Sequence, residues 1–144
     1  MNLTTATPAC TNSRTILIAE DDFDDQELIM EALLAADPHL SMHTVLNGNA
    51  VLRYLNNCTP DQLPQLLILD YNLPELDGAE VLQQLLQNGR YRSIPKIVWS
   101  TSNAAQYQAR CMQLGATVYL VKPCTVTGIE AMAHQMVALC SVTA

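Results

Sequence analysis

A chain of 144 residues, 49% of them apolar, is long enough to bury a core as one domain and too apolar for disorder to be its default. Seven Lys and Arg against fourteen Asp and Glu leave a formal net charge of −7, which argues against nucleic acid as a partner, since neutralising phosphates takes clustered cations and these are scattered. Five widely spaced cysteines (Cys10, Cys58, Cys111, Cys124, Cys140) with no C-x-x-C pair argue against a disulfide framework or a zinc site and for a reducing compartment.

Residues 1–13 are polar, without the basic start and apolar centre of a signal peptide, and read as a flexible lead. No later apolar run approaches membrane-spanning length, so a cytoplasmic location with no membrane contact is expected. Thr15–Ala19 (TILIA) reads as a short buried strand running into Glu20-Asp21-Asp22-Phe23-Asp24-Asp25, five acids in six residues. Leu28, Ile29, Ala32, Leu33 and Ala36 then recur at helical spacing until Asp37-Pro38 stops them. Asp22 or Asp24 can cap this helix, and Asp24 and Asp25 read as cap and first-turn residues with no metal role. Ser41–Leu46 is a weaker strand. A second helix follows Gly48 with Val51, Leu52 and Leu55 on its apolar face, and Asn56–Pro64 is a loop by composition.

Leu66–Leu69 is an unbroken apolar run that ends in Asp70, the pattern of a strand buried on both faces whose end leaves the core. A third helix starts near Gly78, with Val81, Leu82, Leu85 and Leu86 apolar, and Asp77 reads as its cap. Lys96–Trp99 is a strand ending in Ser100-Thr101-Ser102. A helix over Ala104–Leu114, a strand over Val118–Val121 ending in Lys122-Pro123, and a last helix over Val126–Cys140 complete the chain. Strand and helix alternate five times, which predicts an α/β fold with a doubly wound parallel sheet and five helices.

In such a sheet the strand ends share one edge, the edge where open α/β sheets bind ligands. Glu20, Asp21, Asp70, Ser100 and Lys122 should therefore meet there. Carboxylates that close repel one another unless protonated or bridged by a cation, and an oxygen-seeking divalent ion such as Mg2+ is the natural bridge. A metal beside a carboxylate, an ammonium and a hydroxyl suits transfer of a phosphoryl group.

With Asn72-Leu73-Pro74 and Asp77-Gly78 after Asp70, these residues resemble the receiver domain of two-component response regulators over roughly Thr15–Cys140. The resemblance implies a flavodoxin-like fold of strand order 2-1-3-4-5, with residues 14–141 as the receiver domain and no output domain. It implies a signalling protein rather than an enzyme, with Asp70 as phosphoacceptor for a sensor histidine kinase or a histidine phosphotransfer protein. Asp21, Asp70 and the backbone carbonyl of Asn72 would bind Mg2+, and Glu20 would hold a metal-bound water. Lys122 and Ser100 would bind phosphoryl oxygens, Ser100 and Tyr119 would form the switch, and Asn72 and Ser102 would tune the phosphoryl lifetime. The Lys122–Pro123 bond would be cis. The segment IPKIVWSTS is similar to stand-alone regulators of the phytochrome-associated type. Output would then pass to a separate protein target, and self-association through the fourth-helix to fifth-strand face is left open. Cys124 replaces a usual aromatic, and Asp22 is a third acid without an assigned role.

Two rivals are weaker. A haloacid-dehalogenase-type phosphohydrolase wants an Asp two residues after the nucleophile, where Asn72 stands, and a pseudo-receiver scaffold would not need every site residue. Elsewhere, Trp99 reads as core, Arg90, Tyr91 and Arg92 as a small basic-aromatic surface, and His39, His43 and His134 as structural or solvated.

Overall fold

Residues 14–140 are described by a computed structural model; the lead over residues 1–13, with Cys10, and the end of the expected domain at residue 141 lie outside them. The strands are β1 (Arg14–Ala19), β2 (Leu40–Val45), β3 (Leu66–Asp70), β4 (Lys96–Ser100) and β5 (Val118–Val121). The helices are α1 (Phe23–Ala36), α2 (Gly48–Asn57), α3 (Gly78–Leu86), α4 (Ala105–Gln113) and α5 (Val126–Cys140). All strand pairs are parallel and the order is β2-β1-β3-β4-β5, as expected.

Alternation along the strands divides the core in two. Leu17, Ala19, Leu67, Leu69 and Val98 face α2, α3 and α4, where Val51, Leu55, Val81, Leu82 and Cys111 meet them. Ile16, Ile18, Leu66, Ile68, Ile97 and Trp99 face α1 and α5, against Ile29, Leu33, Met132, Ala133 and Met136. Both faces of β3 are thus covered, which is why its sequence shows no polar residue before Asp70. No helix among the described residues is long and apolar enough to cross a membrane.

Four expectations are corrected. Leu28 and Leu86, assigned to apolar faces, are 39% and 54% exposed, because the buried stripes of α1 and α3 are narrower than the run of apolar residues. The loop expected over Asn56–Pro64 begins later, because α2 runs on to Asn57, and it holds a 3₁₀ turn at Pro60–Gln62 with a Thr59/Gln62 capping box. Arg90 and Tyr91 are not a surface patch: Arg90 donates to the carbonyls of Leu55 and Cys58, and the buried Tyr91 hydroxyl donates to Asn56 Oδ1 at 2.7 Å. The last carbonyls of a helix need donors from elsewhere, and α2 takes them from this arginine. Finally, the Lys122–Pro123 bond is trans, as no described peptide is cis; trans is the lower-energy form of an X–Pro bond by about 0.5–1 kcal/mol.

Candidate functional site

The carboxyl edge of β1, β3, β4 and β5 gathers the polar strand ends. Asp70 is paired in register with Trp99, and Ser100 with Val121, so the ends of β3, β4 and β5 lie side by side. Asp70 is buried, with Oδ1 accepting the Asn72 N–H at 2.9 Å and Oδ2 accepting Lys122 Nζ at 2.8 Å. Lys122 Nζ also donates to Glu20 Oε1 at 2.9 Å and to Asp25 Oδ2 at 2.8 Å. Glu20 is fully buried, its other oxygen accepting the Asp22 N–H at 3.0 Å. Asp21 is exposed at the rim.

One oxygen each of Glu20, Asp21 and Asp70 lie within 4.8 Å of one another. The crowding leaves an electrostatic signature. Burial and the hydrogen-bonded neighbour Asp70 push the Glu20 carboxyl from 4.5 up to about 8, against the opposing pull of Lys122 and the Asp22 N–H. Burial alone would lower the pKa of Lys122, but its bonds to Asp25, Asp70 and Glu20 outweigh it and hold the ammonium above the ordinary lysine value. Hard oxygens this close, one of them held in its acid form by its surroundings, fit a divalent cation such as Mg2+, which would let Glu20 ionise.

The remaining predicted residues line the same edge. Ser100 is buried, and its Oγ accepts the Ser102 N–H at 3.1 Å. The Ser102 Oγ accepts the Ala104 N–H at 3.1 Å, shaping the turn into α4. Tyr119 is turned inwards and its hydroxyl donates to the Ser102 carbonyl at 2.8 Å, tying β5 to that turn. Asn72 is exposed. Asp77 is the cap of α3, with a capping box to Glu80, and Gly78 lets α3 start against the β3 backbone, since a Cβ there would lie 3.0 Å from Asp70 O. Cys124 is exposed.

The structure chooses between the two expected caps and brings two further residues, Asp25 and Trp99, to the site. Asp22 is the α1 cap, accepting the Asp25 N–H at 3.1 Å. Asp25, read from the sequence as a first-turn residue only, also reaches back to Lys122. Trp99 is a core residue, yet its ring lies beneath the Lys122 ammonium at 4.7 Å from the centroid. The cap fixes where the first turn of α1 begins, and that is the one signal in the sequence that could have brought Asp25 to the site.

The profile of the response regulator receiver domain matches residues 16–134. The chain belongs to this family. Among its relatives is the probable methanogenesis regulatory protein FilR2 of Methanothrix harundinacea, 34% identical over 110 residues, covering 75% of this chain and 71% of that protein. The response regulator Rcp1 of Synechocystis sp. is 30% identical over 112 residues, 76% of each chain. The receiver fold also superimposes on the phosphorylated cyanobacterial phytochrome response regulator RcpA with a TM-score of 0.81, at 28% identity over 92% of this chain and 96% of that one. The Mn2+-bound form of Rcp1 gives a TM-score of 0.75 at 28% identity, over 85% and 90% of the two chains.

Proposed function

We propose that this receiver accepts a phosphoryl group on Asp70 from a sensor histidine kinase or a histidine phosphotransfer protein, in a Mg2+-dependent reaction, as a cytoplasmic regulator acting through a separate protein partner or a relay. The observation that carries the reading is the meeting of Asp70, Lys122 and the three-carboxylate group at one edge of the sheet. In the reaction an Asp70 carboxylate oxygen attacks the phosphorus of a phosphohistidine. The P–O bond forms as the P–N bond breaks, and the electron pair stays on the imidazole nitrogen.

Asp21 and Asp70, with the Asn72 carbonyl and with Glu20 through water, would hold the cation, which supplies charge neutralisation at the phosphoryl oxygens. Lys122 gives one oxygen an ammonium partner and Ser100 gives another a hydroxyl donor. The phosphoryl group carries about two negative charges at neutral pH where the Asp70 carboxylate carried one, and it sets three new acceptor oxygens there, enough to bias the Ser100–Ala104 turn, with Tyr119 following through its bond to Ser102. Because RcpA is a phytochrome response regulator, a phytochrome-type kinase is the first donor to try.

Incubation with acetyl phosphate or a kinase in Mg2+ should give an acid-stable, hydroxylamine-labile adduct that Asp70→Asn abolishes. Absence of label on the wild-type protein under these conditions would refute the reading.

A further inference from the structure

We infer that Asp25 is a positioning residue for Lys122: its carboxylate is the seat that keeps the ammonium when a phosphoryl group is built onto Asp70. The inference rests on the phosphoacceptor reading above and assigns a residue to the reaction which that reading leaves out.

An ammonium has three N–H donors, and all three are in use, one each on Glu20, Asp25 and Asp70 at 2.9, 2.8 and 2.8 Å. Forming a P–O bond on Asp70 disturbs the last of these. Oδ1 is held by the Asn72 N–H and Oδ2 by Lys122, so phosphorus on either oxygen crowds new oxygens into the space around the ammonium. The lysine must then exchange Asp70 Oδ2 for a phosphoryl oxygen.

Glu20 is no secure partner either, because it belongs with Asp21 and Asp70 to the group a cation would draw together. Asp25 is outside that group. It is the one carboxylate on Lys122 that neither the cation nor the phosphoryl group engages.

Its placement suits this role. Asp25 stands in the first turn of α1, pinned by its own N–H on the Asp22 cap. Its side chain is 32% exposed, against 0% for Glu20 and 7% for Asp70, so its charge stays hydrated at little cost whichever group the lysine faces. The Trp99 ring also lies against the ammonium, its centroid 4.7 Å away. Without the Asp25 charge the ammonium would settle between Glu20 and Asp70, where the phosphoryl group has to fit.

The test uses phosphoramidate on the whole protein. Asp70 attacks its phosphorus, the P–N bond breaks, and ammonia leaves with the electron pair. Asp25→Asn keeps the size and removes the charge; Asp25→Glu restores the charge. The expected result is phosphorylation slowed about tenfold or more in Asp25→Asn and largely restored in Asp25→Glu, with the Mg2+ affinity of all three proteins within about threefold. Trp99 fluorescence of the unphosphorylated protein should change in Asp25→Asn and return in Asp25→Glu, since the ammonium moves over the ring. Urea unfolding of each variant establishes that it is folded. Equal rates for wild type and Asp25→Asn overturn the inference alone, as does an Asp25→Glu protein as slow as Asp25→Asn, or a parallel fall of rate and Mg2+ affinity. A wild-type protein that takes no phosphoryl group overturns the phosphoacceptor reading, and the inference with it.

Discussion

Raising the pH from about 6 to about 9 should tighten the apparent Mg2+ affinity about a hundredfold, with Glu20 as the cause. Burial and the neighbouring Asp70 hold its carboxyl at about 8 rather than 4.5. At pH 7 only about one molecule in eleven then has Glu20 ionised, and at pH 6 about one in a hundred. A cation seated among the oxygens of Glu20, Asp21 and Asp70 requires the ionised form, so about one proton leaves per ion bound, and the apparent Kd is the intrinsic value divided by the ionised fraction. The slope is therefore close to tenfold per pH unit below about 8, flattening above it. Trp99, the sole tryptophan, lies under Lys122 and makes its fluorescence a direct titration signal. Glu20→Gln should bind Mg2+ with no such slope. The same shift acts on folding: Glu20 holds its proton more tightly folded than unfolded, so its stabilising contribution is complete below about pH 4.5 and is lost as pH rises through about 8. Without divalent ions the urea midpoint should fall across that window, and with Mg2+ the fall should shrink. An apparent Kd that stays flat between about pH 6 and 8 would refute the electrostatic account of the site.

Three further outcomes follow from the packing around the site. Lys122→Met strips the shared cation from Glu20, Asp25 and Asp70 and should cost about 3–5 kcal/mol in urea melts without divalent ions, most of it returned by Mg2+; a variant as stable as wild type in chelator refutes this. Gly48→Ala would drive a Cβ into the Leu76 carbonyl, forcing α2 away from the loop after β3, and should destabilise by on the order of 1–3 kcal/mol in thermal melts. Tyr119→Phe removes the donor to the Ser102 carbonyl; the expected loss is about 0.5–1.5 kcal/mol, with faster amide exchange confined largely to the turn between β4 and α4.

Asp70 and Lys122 were legible because each ends a run of apolar residues, and a parallel sheet brings such ends to one edge whatever the details of the helices. Glu20 and Asp21 were legible for the same reason. The Asp77 cap could be read because its chemistry is local: a carboxylate reaching an N–H three residues on. Arg90 and Tyr91 were misread because their partners, Leu55, Asn56 and Cys58, come from a helix more than thirty residues earlier. Leu86 was misread because an apolar residue at the right helical spacing still depends on how wide a stripe its neighbours cover.

The order of strands and helices, the two-sided burial of β3 and the identity of the strand-end residues were fixed by the amino-acid sequence, because periodicity and the cost of burying charge act on each segment locally. The division of one ammonium among Glu20, Asp25 and Asp70, with the Trp99 ring beneath it, was decided only when β1, β3, β4, β5 and α1 packed together. Contacts of that kind depend on the angle at which a helix leaves its strand and on the reach of a long side chain, and both belong to the assembled fold.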